Sequence, residues 1–451
     1  MKPYWLVSVI VLALLSACAG ATSTPINRLT PTVSATPTST PIATATPAWQ
    51  VHQSVIEVVT DNAVTGDGGN GWGGHQTRIV HTQNGIFTAY TVEGSGQFGR
   101  EWRLAERKAD GTWPVISHGD AGREPVNLLA SPDGTLNIVG WPDGYATLWS
   151  GKPENGTLVM TSTRIPNEVQ GNWPYGSAGI DKNGDLCVLS SYGGETTGGY
   201  FYWACYLPST GKWITQTNYL DYRYCYTYLF PSADGQLSLV STRDVRWQAL
   251  GYHQPALEFD YVFNAFRYWR TTDIASKLIQ VLSYADEVPN DQYPDVYLDA
   301  QSDAYLDTLG RMHILYAVKG PSTNGATIYR HRIVAPDGSI IYDGEIPLGA
   351  GRYNRIFQDA EGRYYLLGSY GLLYPMDEEG ETLGKPVRLD LARNGIEYEV
   401  EYSGFGLSVP RTGTPLRDVM DVVFPSTNGS LWLYFQLDFS NSSSLPISLV
   451  K

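Results

Sequence analysis

Much that would name a chemistry is missing from this chain. It has no glycine-rich phosphate loop, no zinc-spaced Cys/His cluster and no serine nucleophile elbow. The sequence motifs for nucleotide binding, structural zinc and serine hydrolysis are therefore excluded. No cofactor and no metal is expected. Asp299, Asp303 and Asp307 offer the hard oxygens calcium takes, but without EF-hand spacing. Basic charge is short: 31 Lys and Arg stand against 45 Asp and Glu, for a net charge of −14. Phosphate backbones need a basic face, so nucleic acid is not an expected partner. Cysteine is scarce, with four in 451 residues. Besides Cys18, the cysteines at 187, 205 and 225 leave at least one thiol unpaired. A Cys187–Cys205 bridge, a Cys205–Cys225 bridge and three buried small residues are the open alternatives.

What is present is a repeat. Ser131-Pro132-Asp133-Gly134-Thr135-Leu136-Asn137-Ile138-Val139 reads as a strand end, a tight turn and a second strand of alternating apolar residues. Approximate copies place their turn glycines at Gly85, Gly134, Gly184, Gly235, Gly310, Gly362 and Gly429, at intervals of 49, 50, 51, 75, 52 and 67 residues. A period near 50 marks a repeat architecture. Asp-Gly and Asn-Gly pairs predict type I′ hairpins. A second glycine turn, as at Gly111, Gly156, Gly211, Gly338 and Gly380, lies between most of the first ones. Two hairpins per repeat make four antiparallel strands, which is a propeller blade. The expected fold is all-β, a seven-bladed β-propeller of four-stranded antiparallel blades. Residues 51–59 read as one strand that pairs with C-terminal strands as the outer strand of the last blade, removing two free edges. Within the long fourth interval, 273–285 reads as a short helix or as an outer strand, and the strand is favoured because the blade otherwise lacks one. Residues 387–391 read as an outer strand before an extended loop.

The N-terminal part is not propeller. Lys2 precedes an apolar run at 4–15, shorter than the roughly 20 residues a membrane helix needs. Leu15-Ser16-Ala17-Cys18 resembles the lipobox of a bacterial lipoprotein signal. The resemblance implies cleavage before Cys18, acylation of Cys18, membrane attachment through that anchor, and a place in the cell envelope facing outside the cytoplasm. An ordinary secretory signal with a coincidental cysteine is the alternative. Residues 19–48 carry five Thr-Pro pairs and read as an extended, solvated tether. The domains are therefore 1–18 signal, 19–48 tether and 49–451 propeller, expected as a monomer.

Ligands of propellers gather where the innermost strands begin. Counting ten residues back from the turn glycines gives His75 and Glu124, with Arg78, Asn127, Tyr175, Tyr224, Tyr226, Arg352 and Arg355 as neighbours. The glycine-rich stretch 66–74 reads as a flexible loop bordering that mouth. Tyrosine rings stack on sugars, arginine pairs with carboxylates, and His or Glu exchanges protons. Each residue also fits a plain packing or salt-bridged role. His313 and the run Tyr329-Arg330-His331-Arg332 fall within strands and read as structural.

SPDGTLNIV and Lys108-Ala109-Asp110-Gly111-Thr112-Trp113 resemble the repeats of the sialidase-like, BNR-repeat superfamily, over roughly 75–440. Asp110 and Gly111 are adjacent, where the Asp-box has an intervening residue. Arg78 and Arg355 match two members of the sialidase arginine triad. Related polysaccharide lyases use His, Tyr and Arg at the channel mouth, so the resemblance implies candidate catalytic roles for His75, Tyr175 and Arg78. It leaves Glu124, Asn127, Tyr224, Tyr226 and Arg355 as candidate binding residues. The leading expectation is a surface module that binds glycans or scaffolds a protein partner. The alternative is a polysaccharide lyase or glycoside hydrolase.

Overall fold

The structure is a computed structural model. It describes residues 49–66, 68–154, 157–166, 175–194, 196–250, 261–285, 298–347, 353–368, 370–393, 396–397, 407–411, 413–426, 430–440 and 447–450. The chain divides into two compact units, 1–45 and 46–451. The expected signal, lipobox and most of the tether, together with Arg352, lie outside the described residues.

The larger unit is a ring of seven four-stranded blades. The inner strands of blades 1 to 6 are Ile79–Thr82, Asn127–Ala130, Tyr175–Ile180, Tyr224–Pro231, Leu298–Leu306 and Arg355–Gln358. In blade 7 the stretch 407–411 lies innermost, and Ser408 bridges antiparallel to Val423 of Val419–Pro425. Burial falls outward: in blade 2 the inner strand is wholly buried and the outer strand, Thr161–Arg164, wholly exposed. The apolar residues form clusters between neighbouring blades. Phe87, Trp102 and Leu104 of blade 1 pack on Leu128 and Ile138 of blade 2. The same arrangement recurs around the ring to Val423, Trp432 and Tyr434 of blade 7 against Ile79 and Tyr90 of blade 1. The clusters draw on residues from 51 to 439, so this unit carries its own core.

Closure joins the chain ends, with one correction. Residues 51–59 are not one outer strand. Trp49–Gln53 and Glu57–Thr60 both pair antiparallel with Trp432–Asp438, and Ile447–Val450 lies outside them, parallel to Trp49–Gln53. The N-terminal segment therefore enters blade 7 as two strands outside Trp432–Asp438, with Ile447–Val450 beyond the first of them, and is buried through Val51 and Ile56. In the long fourth interval Ile279–Tyr284 is the outer strand of blade 4, as favoured. The outer strand of blade 6 is Val387–Arg388.

The hairpins also differ from expectation. Gly134 N–H donates to Ser131 O and Ser131 N–H to Thr135 O, and Gly134 has φ 85°. The same pattern occurs at Gly184, Gly235, Gly310 and Gly362. A type I′ turn needs positive φ at both central residues, yet Pro132 and Asp133 are not among the positive-φ residues described. These are type I turns with a glycine bulge. Pro132 fits the second turn position, and the left-handed fourth position takes glycine. Cys187 and Cys205 are direct cross-strand neighbours in blade 3 and form the disulfide; Cys225 is free and buried.

The extended loop before blade 7 has a definite course. Residues 407–411 and 413–417 lie against the inner strands. Ser408 Oγ accepts from Arg78 N–H, and Ser408 bridges to Val423. Arg411 donates to Ala304 O, Ile356 O and the Asp303 carboxylate. Gly413 sits so close to Ile180 and Ala130 that a Cβ there would clash with both, at 2.3 and 2.8 Å. The chain thus fills its own central channel, in contact with blades 1, 2, 3, 5, 6 and 7.

Candidate functional site

The channel has two mouths. The upper mouth is where the inner strands begin, and the sequence candidates converge there. Tyr226 is their hub: its ring centroid is 5.7 Å from His75, 5.2 Å from Tyr175 and 5.9 Å from Trp72. Tyr226 has φ 53°, inside a register shift between Cys225 and Tyr228. That irregularity separates it from Tyr224, which packs on Trp269 at 5.0 Å in the core between blades 3 and 4. Glu124 is buried and accepts from Arg123 Nη1 at 2.8 Å. Asn127 is fully buried, with no hydrogen-bond partner for its amide among the described residues.

The segment 66–74 is a packed cover over this mouth. Asn70 pins it: the side chain donates to Thr91 O at 2.6 Å and accepts from Thr91 N–H at 2.8 Å. Arg78 Nη1 donates to Asn70 O at 2.6 Å, and its guanidinium lies 4.6 Å from the Trp432 ring centroid. Arg355 donates to Leu407 O at 2.6 Å, Asn354 O at 2.6 Å, Gly74 O at 3.1 Å and Ser302 O at 3.2 Å. Both arginines are fully buried and serve as struts between backbone segments.

Electrostatics follow from this burial. His75 Nε2 lies 3.1 Å from Gly176 O, which only accepts, so Nε2 carries the proton. Burial pushes His75 down to about 3, and Arg78 and Arg355 push it the same way against the Gly176 bond. Burial also lowers Arg78 to about 9, assisted by Arg355. Burial raises the Tyr175 phenol, with Cys225 and Asp244 adding to the shift. A general base works best with a pKa near the operating pH. Burial holds His75 well below neutrality and Tyr175 well above it, so neither is poised near pH 7 in this closed arrangement.

The lower mouth, where the inner strands end, is different. A cavity of about 490 Å³ lies there, bordered by the ends of the inner strands and by the 410–417 strap. His81 faces it. Its Nδ1 is 2.8 Å from Asp421 Oδ2, with side-chain exposures of 20% and 1%. Asp421 also accepts from Tyr434 Oη at 2.6 Å and Gln436 Nε2 at 2.8 Å. A carboxylate so engaged accepts from His81, so Nδ1 bears a proton and the ring is held with Nε2 turned away from Asp421. A ring nitrogen held ready by a buried acid is the base-and-orienter arrangement. Sequence reasoning missed this pair because its members are 340 residues apart. Asp303 and Asp307, considered for calcium, are instead paired: Asp303 with Arg411, and Asp307 with Arg311, His313 and Tyr364. No cluster of three metal-ligating side chains occurs among the described residues. His313 and His331 stack inside blade 5, joined at 3.0 Å, and both are buried.

No protein-family model matches this chain, and no curated protein matches it. Solved structures of similar shape include virginiamycin B lyase from Staphylococcus aureus, 11% identical, covering 86% of this chain and 98% of that one, TM-score 0.45. An α-L-arabinofuranosidase from Fusarium graminearum is 10% identical over 71% of this chain and 94% of that one, TM-score 0.44. The WD40 propeller domain of Doa1 is 9% identical over 85% and 97%, TM-score 0.39.

Proposed function

We propose that this chain is a lipid-anchored binding propeller of the cell envelope, tethered through Cys18, whose ligand is taken at the lower mouth. The observation that carries the reading is the course of the chain itself. Segment 66–74 covers the upper mouth and 407–411 runs down the channel, while the strap 413–417 leaves a cavity of about 490 Å³ at the lower mouth. That volume is in the range of roughly 300–1,000 Å³ typical of small-molecule sites. The glycan reading is supported by the export signal, the tether and a 12% aromatic content.

A second reading, a polysaccharide-degrading enzyme, is favoured by His81 on Asp421 at that cavity. One screen separates the two. The soluble unit 46–451 is offered acidic and neutral polysaccharides, and both binding and product are measured. Binding without turnover, lost in His81→Ala, supports the module. Product formation lost in His81→Ala supports the enzyme. Binding unchanged by lower-mouth substitutions overturns the site. The anchor is tested separately: Cys18→Ser is expected to move the protein from the membrane fraction to the soluble fraction.

A further inference from the structure

We infer that the lower cavity selects a saccharide carrying a carboxylate, an inference that rests on the lower mouth being the ligand-taking face. The argument is an inventory of unmet hydrogen-bonding groups. On the donor side, Arg417 and Lys182 line the cavity. Neither has a carboxylate within ion-pair reach among the described residues, and Arg417 Nε is buried without an acceptor. Both are cations without a carboxylate partner among the described residues, in a chain of net charge −14. A buried donor left unmet costs about 1–3 kcal/mol, so Arg417 favours an anion there, and the exposed Lys182 adds its charge.

On the acceptor side, Asp181 is 4% exposed. Its Oδ1 is taken by Asn183 and Asp185 N–H, while Oδ2 is buried without a donor. His81 Nε2 is a second polar atom turned to the cavity, its ring fixed by the Asp421 bond. The remaining acids at the mouth are already matched: Asp307 by Arg311 and His313, and Asp303, behind the strap, by Arg411. A simple anion satisfies the cations but leaves Asp181 and His81 unmet. A neutral sugar does the reverse. A uronate supplies both, with its carboxylate for Arg417 and Lys182 and its hydroxyls for Asp181 and His81. Apolar walls such as Phe230 and Phe357 complete the cavity.

Calorimetry on the 46–451 unit tests this, with digalacturonate and the neutral galactobiose as probes. The expected result is binding of digalacturonate at least tenfold tighter than galactobiose. Arg417→Ala and Asp181→Asn each weaken digalacturonate binding tenfold or more, while the melting temperature is retained. Screening by 0.5 M NaCl weakens it further. Equal binding of both probes, lost together in His81→Ala, overturns the acid preference and leaves the lower-mouth reading standing. Digalacturonate binding indifferent to all three variants overturns both. Binding of neither probe overturns the inference, and the polysaccharide screen then decides the reading alone.

Discussion

The two mouths of this channel are built from the same seven strands, yet they do opposite things with polar groups. At the upper mouth, Arg78 and Arg355 are fully buried and spend their donors on backbone carbonyls. At the lower mouth, Arg417 and Lys182 have no such partners among the described residues, and a cavity remains beside them. The upper arginines are structural because the segment 66–74 and residues 407–408 lie against them. The lesson is that a charged residue at a propeller mouth is defined by what the loops do with it. Its position in the repeat does not decide its role.

One deletion and three substitutions break or sharpen this contrast. The largest effect is expected from removing residues 49–60, because neither mouth exists unless the ring closes. That deletion strips two strands from blade 7 and uncovers Trp432–Asp438 as an edge. Loss of the cooperative thermal transition, with aggregates on size-exclusion chromatography, is the expected outcome. An unchanged melting temperature would refute the closure.

Next is Arg355→Ala, which leaves the carbonyls of Leu407, Ser302, Asn354 and Gly74 without their donor. A cost of about 3–5 kcal/mol is expected, as for breaking other buried charge networks. Urea unfolding measures it. A cost under about 1 kcal/mol would show that the upper arginine is not a strut.

The third tests burial of His75. Its folded-state pKa of about 3 lies below the ordinary 6.5, so the unfolded chain holds the proton more tightly. Stability from this group is complete above pH 6.5 and is lost as pH falls toward 3. By pH 5 the loss is about 2 kcal/mol, at roughly 1.4 kcal/mol per pH unit. His75→Gln is expected to remove that share of the acid sensitivity, seen as a smaller drop in urea midpoint between pH 7 and pH 5. His331, also held near 3 by burial and by His313, keeps its own share in both proteins. An identical pH slope in variant and wild type would mean His75 is solvated.

The smallest stability effect is expected at the lower mouth. Lys182→Ala is predicted to change the unfolding free energy by less than about 0.5 kcal/mol, as for exposed residues without partners. A larger loss would make Lys182 a structural group after all, and the two mouths would then be alike.

Much of the fold was legible in the sequence. Turn glycines such as Gly134 and Gly184 announce themselves because a left-handed backbone position accepts little else. Their spacing set the number of blades, and the alternation after each glycine marked the second strand. The turn type was misread: Asp-Gly suits type I′, but the extra residue at Ser131-Pro132-Asp133-Gly134 makes a bulged type I turn instead. The candidate cluster His75, Tyr175 and Tyr226 did assemble, since all three sit near the start of an inner strand. Its burial was not legible, because the covering segments come from elsewhere in the chain.

The sequence by itself determined the repeat, the seven-part ring and the joining of its ends. Those follow from backbone conformation and apolar periodicity, which act over a few residues and repeat wherever the pattern does. Only the tertiary structure decided which mouth is covered, that the N-terminal segment enters its blade as two strands, and that His81 meets Asp421. Those outcomes depend on where one-off loops settle against distant strands, and no local period records that encounter.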